Sequence, residues 1–278
     1  MINISSRYYK ESGKIPPFAP LIIILIGILA VPILSFIYSY ATFYIPFIYA
    51  NLFIAIAFGI LIGIVVSFAG KLGKVRNKAL LIIFALLFAI LAEYFAWVAW
   101  IYAYSKQTAF IWHPLDVLEV MKLILPEGTW SIGRSHAPVR GTFLALVWII
   151  EAIIILVSSI IFPSMTSVFC EECNCWIKDE KTLSHLEPIE NVEEFKNQLE
   201  QRQYSALLNL QKVDEGSAVY TEVDFGICDK CKNLSYMTVK TITVKKDSKG
   251  KEKKSEEDIV EKLIIDTDTY RSLEALIK

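Results

Sequence analysis

A chain of 278 residues that is 54% hydrophobic and 13% aromatic, with a mean hydropathy of +0.46, is too apolar for an ordinary soluble protein. Its net charge of −1 hides a division: residues 1–162 carry a balance of +5, residues 163–278 a balance of −6, and all five cysteines lie in the second part. The composition predicts a membrane-embedded first part and a soluble acidic second part, and the acidity of the second argues against phosphate binding and hence against a nucleic-acid partner.

The chain opens with a polar arm, residues 1–19, that includes Arg7, Lys10 and Lys14. The apolar run that follows is too long for a signal core and has no small-residue cleavage pattern after it, so it reads as a retained span. A four-span domain is expected over residues 20–162, with spans at about 21–41, 48–68, 79–104 and 142–162. Each reaches the roughly 20 residues needed to cross the hydrocarbon layer. The first contains Pro32 as a kink and ends in Ser35, Tyr38, Ser39 and Tyr40, a gathering that suits the headgroup layer. The second carries Gly59, Gly63 and Ser67 on one face, small residues that admit close helix packing within the chain in preference to a dimer face.

Between the second and third spans lie Lys71, Lys74, Arg76 and Lys78 with no acid among them, candidates for contact with anionic headgroups. The arm and this loop share one side, and the positive-inside rule makes that side cytoplasmic. The expected placement is a multi-pass inner-membrane protein with its N-terminus and C-terminal domain in the cytoplasm. Closely spaced free thiols in the second part point to the same reducing side.

Glu93 and Glu151 are the acids within the predicted spans. Counted along the helices, both fall near mid-bilayer and about 4–5 Å apart in depth. An intramembrane acid is a functional candidate, as part of a proton or cation relay or as hydrogen-bonded glue between helices. Four spans without a basic counter-ion or a broken-helix repeat favour glue. The external loop, residues 105–141, holds an amphipathic stretch after Pro114 suited to the interface. It also holds a cluster of Trp130, Arg134, His136 and Arg140, which reads as a ligand site or as a cap over the bundle.

The domain at 163–278 contains Cys170, Cys173 and Cys175, then Cys228 and Cys231. Two C-x-x-C pairs are the spacing of a closed tetrahedral thiolate site. Cys170, Cys173, Cys228 and Cys231 are the expected ligands, with Cys175 as the alternative to Cys173. The pattern resembles that of zinc ribbons, in which two knuckles clamp a structural Zn2+ and the second leads into a β-hairpin. The resemblance implies zinc here, and a hairpin fits residues 234–246 returning at 259–265 through a charged turn at 247–258. The chain departs from the pattern in a fifty-residue insertion between knuckles and in its spare thiol.

The insertion reads as one helix, capped by Asn191 with Glu194 and carrying Val192, Phe195, Leu199, Ala206 and Leu210 at helical spacing. His185 falls in a polar loop before it. A strand at about 219–225 and a final helix at 267–278, with Tyr270, Leu273 and Ile277 inward, complete a small α+β domain. The fold class is thus a four-helix transmembrane bundle plus a small zinc-ribbon-like α+β domain. No phosphate loop, H-E-x-x-H or G-x-S-x-G occurs, which makes an enzyme the less favoured class. The sequence points first to a non-enzymatic anchoring, docking or assembly component that engages the bilayer and a protein partner or a second copy of itself. A proton- or cation-coupled transport or channel subunit using Glu93 and Glu151 is the second reading, and a membrane enzyme with its site in loop 105–141 the third.

Overall fold

The computed structural model describes residues 7–45, 48–128, 139–165, 167–246 and 252–277. The chain divides into a helical unit, Ser12–Thr166, and a strand-rich unit that joins Met1–Glu11 to Ser167–Lys278.

The helical unit contains α1 (Ala19–Tyr44), α2 (Ile48–Leu72), α3 (Lys78–Tyr104), α4 (Pro114–Glu127), α5 (Gly141–Ser159) and the short α6 (Ile161–Ser164). Four helical stretches, Ala19–Tyr44, Tyr49–Leu72, Lys78–Tyr104 and Gly141–Ser164, are long and apolar enough to cross a membrane. The turn before α3 is built locally. Lys74 adopts a left-handed conformation, and the Asn77 side chain caps α3 by accepting from the Leu80 N–H at 2.9 Å, as short polar residues do at helix starts.

Small and hydroxylated residues hold the helices close. Ser35 and Ser39 of α1 donate to the carbonyls of Ala92 and Ala96 on α3 at 3.0 and 2.6 Å. Gly59 and Gly63 of α2 lie against the α5–α6 backbone: an added Cβ would fall 2.5 Å from the Ile155 carbonyl oxygen and 2.3 Å from that of Ser159. The glycine face is therefore consumed by packing inside the chain. Around this core of Ile23, Val31, Phe58, Ile62, Ala89 and Ile155, large apolar side chains point outward on every long helix, among them Leu29, Phe53, Leu87 and Ile150. A soluble fold does not expose apolar surface on this scale. Helix α4 packs Val117 against Val98 and Ile101 near the end of α3.

In the strand-rich unit β1 (Phe169–Cys170) and β2 (Cys175–Trp176) form a small hairpin. Next come β3 (Glu180–Leu186), α7 (Val192–Glu200), α8 (Ser205–Leu208), β4 (Val219–Ile227), β5 (Ser235–Lys246), β6 (Glu252–Ile265) and α9 (Thr267–Ala275). The strands β3-β4-β5-β6 make one antiparallel sheet in that order. Residues 7–9 extend it along β6. Tyr8 bridges Leu263, the Tyr9 N–H donates to the Lys262 carbonyl, and the Ile264 N–H donates to the Arg7 carbonyl, both at 2.9 Å. One sheet face carries the core, with Val223, Phe225, Met237, Val239 and Leu263 packed on Phe195, Leu199, Leu207, Tyr270 and Leu273 of the helices.

Four sequence expectations change here, and one strand appears that the sequence did not announce. The single helix of the insertion is two helices, α7 and α8, separated by a turn with Arg202 left-handed. A continuous helix would turn polar Gln203 inward one turn after Leu199, and the break brings Tyr204 and Leu207 inward instead. Strand β3 is unannounced by any alternation of its residues and exists because β4 pairs with it. His185 is therefore in a strand, at a bulge with φ 60°, its ring stacked on Tyr220 at 4.2 Å. The expected turn at 247–258 is shorter, since 252–258 already belong to β6. These charged residues are exposed and are held by the ladder to β5, where Lys240 meets Glu256 at 3.3 Å. Finally, α9 stops at Ala275 and Ile277 is 40% exposed rather than inward.

Candidate metal centre

Two tight turns present the thiols. In the first, the β1–β2 ladder sets Phe169 opposite Trp176 and Cys170 opposite Cys175. Its turn closes through a left-handed Asn174, a residue that tolerates that conformation. The second turn joins β4 to β5. The Cys228 N–H donates to the Leu234 carbonyl at 2.8 Å, the Lys232 N–H donates to the Cys228 carbonyl at 2.9 Å, and the Asn233 N–H points at the Cys231 sulfur at 3.5 Å. The start of α9 braces this turn, since the Thr267 hydroxyl donates to the Lys232 carbonyl at 2.9 Å.

The sulfurs of Cys170, Cys173, Cys228 and Cys231 all lie within 4.8 Å of one another, with Cys170 and Cys231 3.6 Å apart. Four thiolates around one zinc at about 2.3 Å stand about 3.8 Å from each other, so the group has the donor number, donor type and spacing of a metal site. Among the described residues it contains no carboxylate or histidine, and an all-sulfur set suits zinc or a soft cation over magnesium or calcium. Cys175 stands just outside, its sulfur 3.9 Å from that of Cys228.

The surroundings restrict water. Cys170 and Cys228 are 1% exposed, and Val168, Ile177, Leu234, Tyr236 and Tyr9 pack about the sulfurs. Trp176 meets Phe169 edge-to-face at 4.8 Å, and the Tyr236 hydroxyl donates to Glu180. Without a cation these thiols compete for one negative charge. Burial pushes the Cys170 thiol well up and the Cys173 thiol up to about 11, where neighbouring Cys231 adds to the effect. Burial also opposes a charge on Cys228. The N–H groups of Cys231 and Lys230, followed by the thiols of Cys170 and Cys231, outweigh it and bring Cys228 down to about 6. A divalent cation held at the centre would stabilise these thiolates.

The other sequence candidates are scattered. Glu151 accepts from the Tyr38 hydroxyl, and Tyr38 stacks on Phe58 at 4.3 Å. Among the described residues the Glu93 Oε1 atom is buried with no hydrogen-bond partner. Lys71 and Lys78 are exposed. Arg76 is 8% exposed, its guanidinium donating to the Lys74 carbonyl at 2.7 Å and to the Ser12 hydroxyl at 3.4 Å. Arg140 is exposed before α5, while Trp130, Arg134 and His136 lie outside the described residues.

The sequence reading gives Tyr9 no role and places Tyr38 in the headgroup layer, not beside Glu151. For Tyr38 a signal exists: Ser35, Tyr38 and Ser39 share one helical face in an otherwise apolar run, and all three are buried. For Tyr9 the sequence carries no local sign, because its partner Phe169 lies beyond the entire helical unit. No family model matches the chain, and no curated protein or solved structure matches it either.

Proposed function

We propose that this is a multi-pass membrane protein whose strand-rich domain is closed by a structural zinc ion and serves as a docking or assembly module. The observation that carries the reading is the convergence of four thiol sulfurs within 4.8 Å from two turns far apart in sequence, in a chain with four helices long and apolar enough to cross a bilayer. Cys170, Cys173, Cys228 and Cys231 hold the metal, which as a closed four-ligand site supplies folding free energy and no open position for chemistry.

The pairing of residues 7–9 with β6 supports four crossings. An even number returns the chain to the side from which it started, where its first residues must meet its last strand. The basic residues of the arm and of the 71–78 loop favour the cytoplasm for that side, as do the free cysteines.

The orphaned Glu93 Oε1 favours a second reading, a proton- or cation-coupled subunit in which Glu93 and Glu151 work as a pair. The glue role accounts for Glu151, which has Tyr38, but leaves that oxygen of Glu93 without a task.

Metal analysis of the purified full-length chain tests the first reading. One zinc per chain is expected. Cys170→Ser, Cys173→Ser, Cys228→Ser and Cys231→Ser should each lose it, and Cys175→Ser should keep it. A chain that folds with no bound metal overturns the proposal.

A further inference from the structure

Cys175 is excluded from the four-thiol group by position and yet touches it. The β1–β2 ladder fixes Cys175 opposite Cys170, and its sulfur lies 3.9 Å from that of Cys228. Cys175 is half-buried, whereas Cys228 is 1% exposed. When the other four cysteines bind a metal, each shares a sulfur electron pair with it, which lowers its reactivity toward an oxidant in solution. Cys175 then remains as a partly accessible thiol with no metal on it, which is the kind of sulfur an oxidant reaches first.

We infer that Cys175 and Cys228 form a disulfide on exposure to a hydroperoxide, and that forming it expels the metal. The inference rests on the metal reading above. In the first step the Cys175 sulfur takes one oxygen from hydrogen peroxide. The S–O bond forms, the O–O bond breaks, and the departing hydroxide leaves as water with the thiol proton. In the second step the Cys228 thiolate attacks the oxidised sulfur, so that the S–S bond forms, the S–O bond breaks and hydroxide leaves. Two electrons have passed from two sulfurs to the peroxide, which ends as one water and one hydroxide.

Closing from 3.9 Å to the roughly 2.05 Å of a disulfide needs about 2 Å of movement. The backbone of Cys228 is held by Leu234 and Lys232 and that of Cys175 by the β1–β2 ladder, so rotation of the two side chains supplies most of it. Cys228 then has no charge left for the metal. Three thiolates remain around the cation, one of its four positions opens to water, and competing thiols or chelators can remove it.

The test uses full-length, zinc-loaded protein in detergent, treated with hydrogen peroxide. Zinc release is followed with a chromogenic chelator, and cross-links are located by peptide mapping without reduction. The wild-type chain should release one zinc, gain a Cys175–Cys228 link, and take zinc up again after thiol reduction. Cys175→Ser should start with one zinc and release it about ten-fold more slowly, because its remaining thiols are all metal-bound. Release from Cys175→Ser at the wild-type rate overturns the inference, as does a link formed among Cys170, Cys173 and Cys231 in place of the Cys175–Cys228 one. A chain that takes up no zinc at all refutes the metal reading instead. The mapping then still decides the disulfide, with a Cys175–Cys228 link supporting it and any other pairing overturning it.

Discussion

The hydroxyl of Tyr9 accepts a hydrogen bond from the backbone N–H of Phe169 at 3.0 Å, so a residue near the start of the chain fastens the one just before the first cysteine of the metal cluster. The strand-rich domain is therefore incomplete when cut from the rest. A fragment of residues 164–278 lacks the edge strand at 7–9 and the Tyr9 side chain that packs against the cluster around the thiols.

Tyr9 should accordingly matter to metal retention. Tyr9→Phe removes one hydrogen-bond acceptor and should cost about 1 kcal/mol. Tyr9→Ala also removes packing and should cost about 2–3 kcal/mol. Both are read as a fall in the chelator concentration that strips half the zinc from the full-length protein. Equal midpoints for wild type and Tyr9→Ala would show that the arm does not brace the site.

Glu151 and Glu93 should respond oppositely to removal of their polar groups. Tyr38→Phe strands the Glu151 carboxyl inside the helical unit and should destabilise it by about 1–3 kcal/mol. Glu93→Leu removes a buried oxygen that has no partner among the described residues, and should be neutral or slightly stabilising. Thermal unfolding in detergent checks both. A strongly destabilised Glu93→Leu chain would mean that Glu93 is structural glue, and would remove the main support for the transport reading.

Gly59→Ala and Gly63→Ala place a Cβ against carbonyl oxygens of α5 and its C-terminal end, where the backbone cannot simply turn away. Each should cost about 1–3 kcal/mol of bundle stability. If this face served self-association instead, the variants would change oligomeric state and leave the melting of the monomer where it was.

A pH effect is expected at the start of α9. Burial opposes ionisation of Asp266, but the Thr269 N–H at 2.7 Å and the Thr269 hydroxyl at 3.0 Å outweigh it and hold its carboxyl below the usual range. Its folded value lies below its unfolded one, so its contribution is full above the unfolded value and fades as pH falls through the folded one. Asp266→Ala should cost about 1 kcal/mol at neutral pH and progressively less in acid. Hydrogen exchange of the α9 amides in wild type and variant measures this. A cost that stays constant down to pH 2 would contradict it.

The parts of this molecule legible in its sequence are those whose energetics are local. Apolar runs long enough to cross a bilayer, the C-x-x-C spacing and the Asn191 cap of α7 each depend on residues within a few turns of one another. The parts that were not legible depend on a distant partner. Residues 252–258 carry a composition poor for strands and take that form because β5 lies beside them. The same holds for β3 beside β4, and for residues 7–9 beside β6. In the bundle, Tyr38 reads as an interfacial aromatic by its place near a helix end, and only the inward row of Ser35, Tyr38 and Ser39 turns its hydroxyl toward Glu151.

The edge strand at 7–9 also fixes an order of events during synthesis. It leaves the ribosome before the four apolar helices, and its hydrogen-bonding partners at 262–264 leave after them. Between the two moments all four apolar helices must emerge, so residues 7–9 wait without their β6 ladder, open to proteolysis, until residue 264 has been made. Chains stalled before residue 262 should be cleaved near Tyr8 and Tyr9 by a protease that spares those residues in the finished protein. Resistance in the stalled chains would mean that something else shelters residues 7–9 in the meantime.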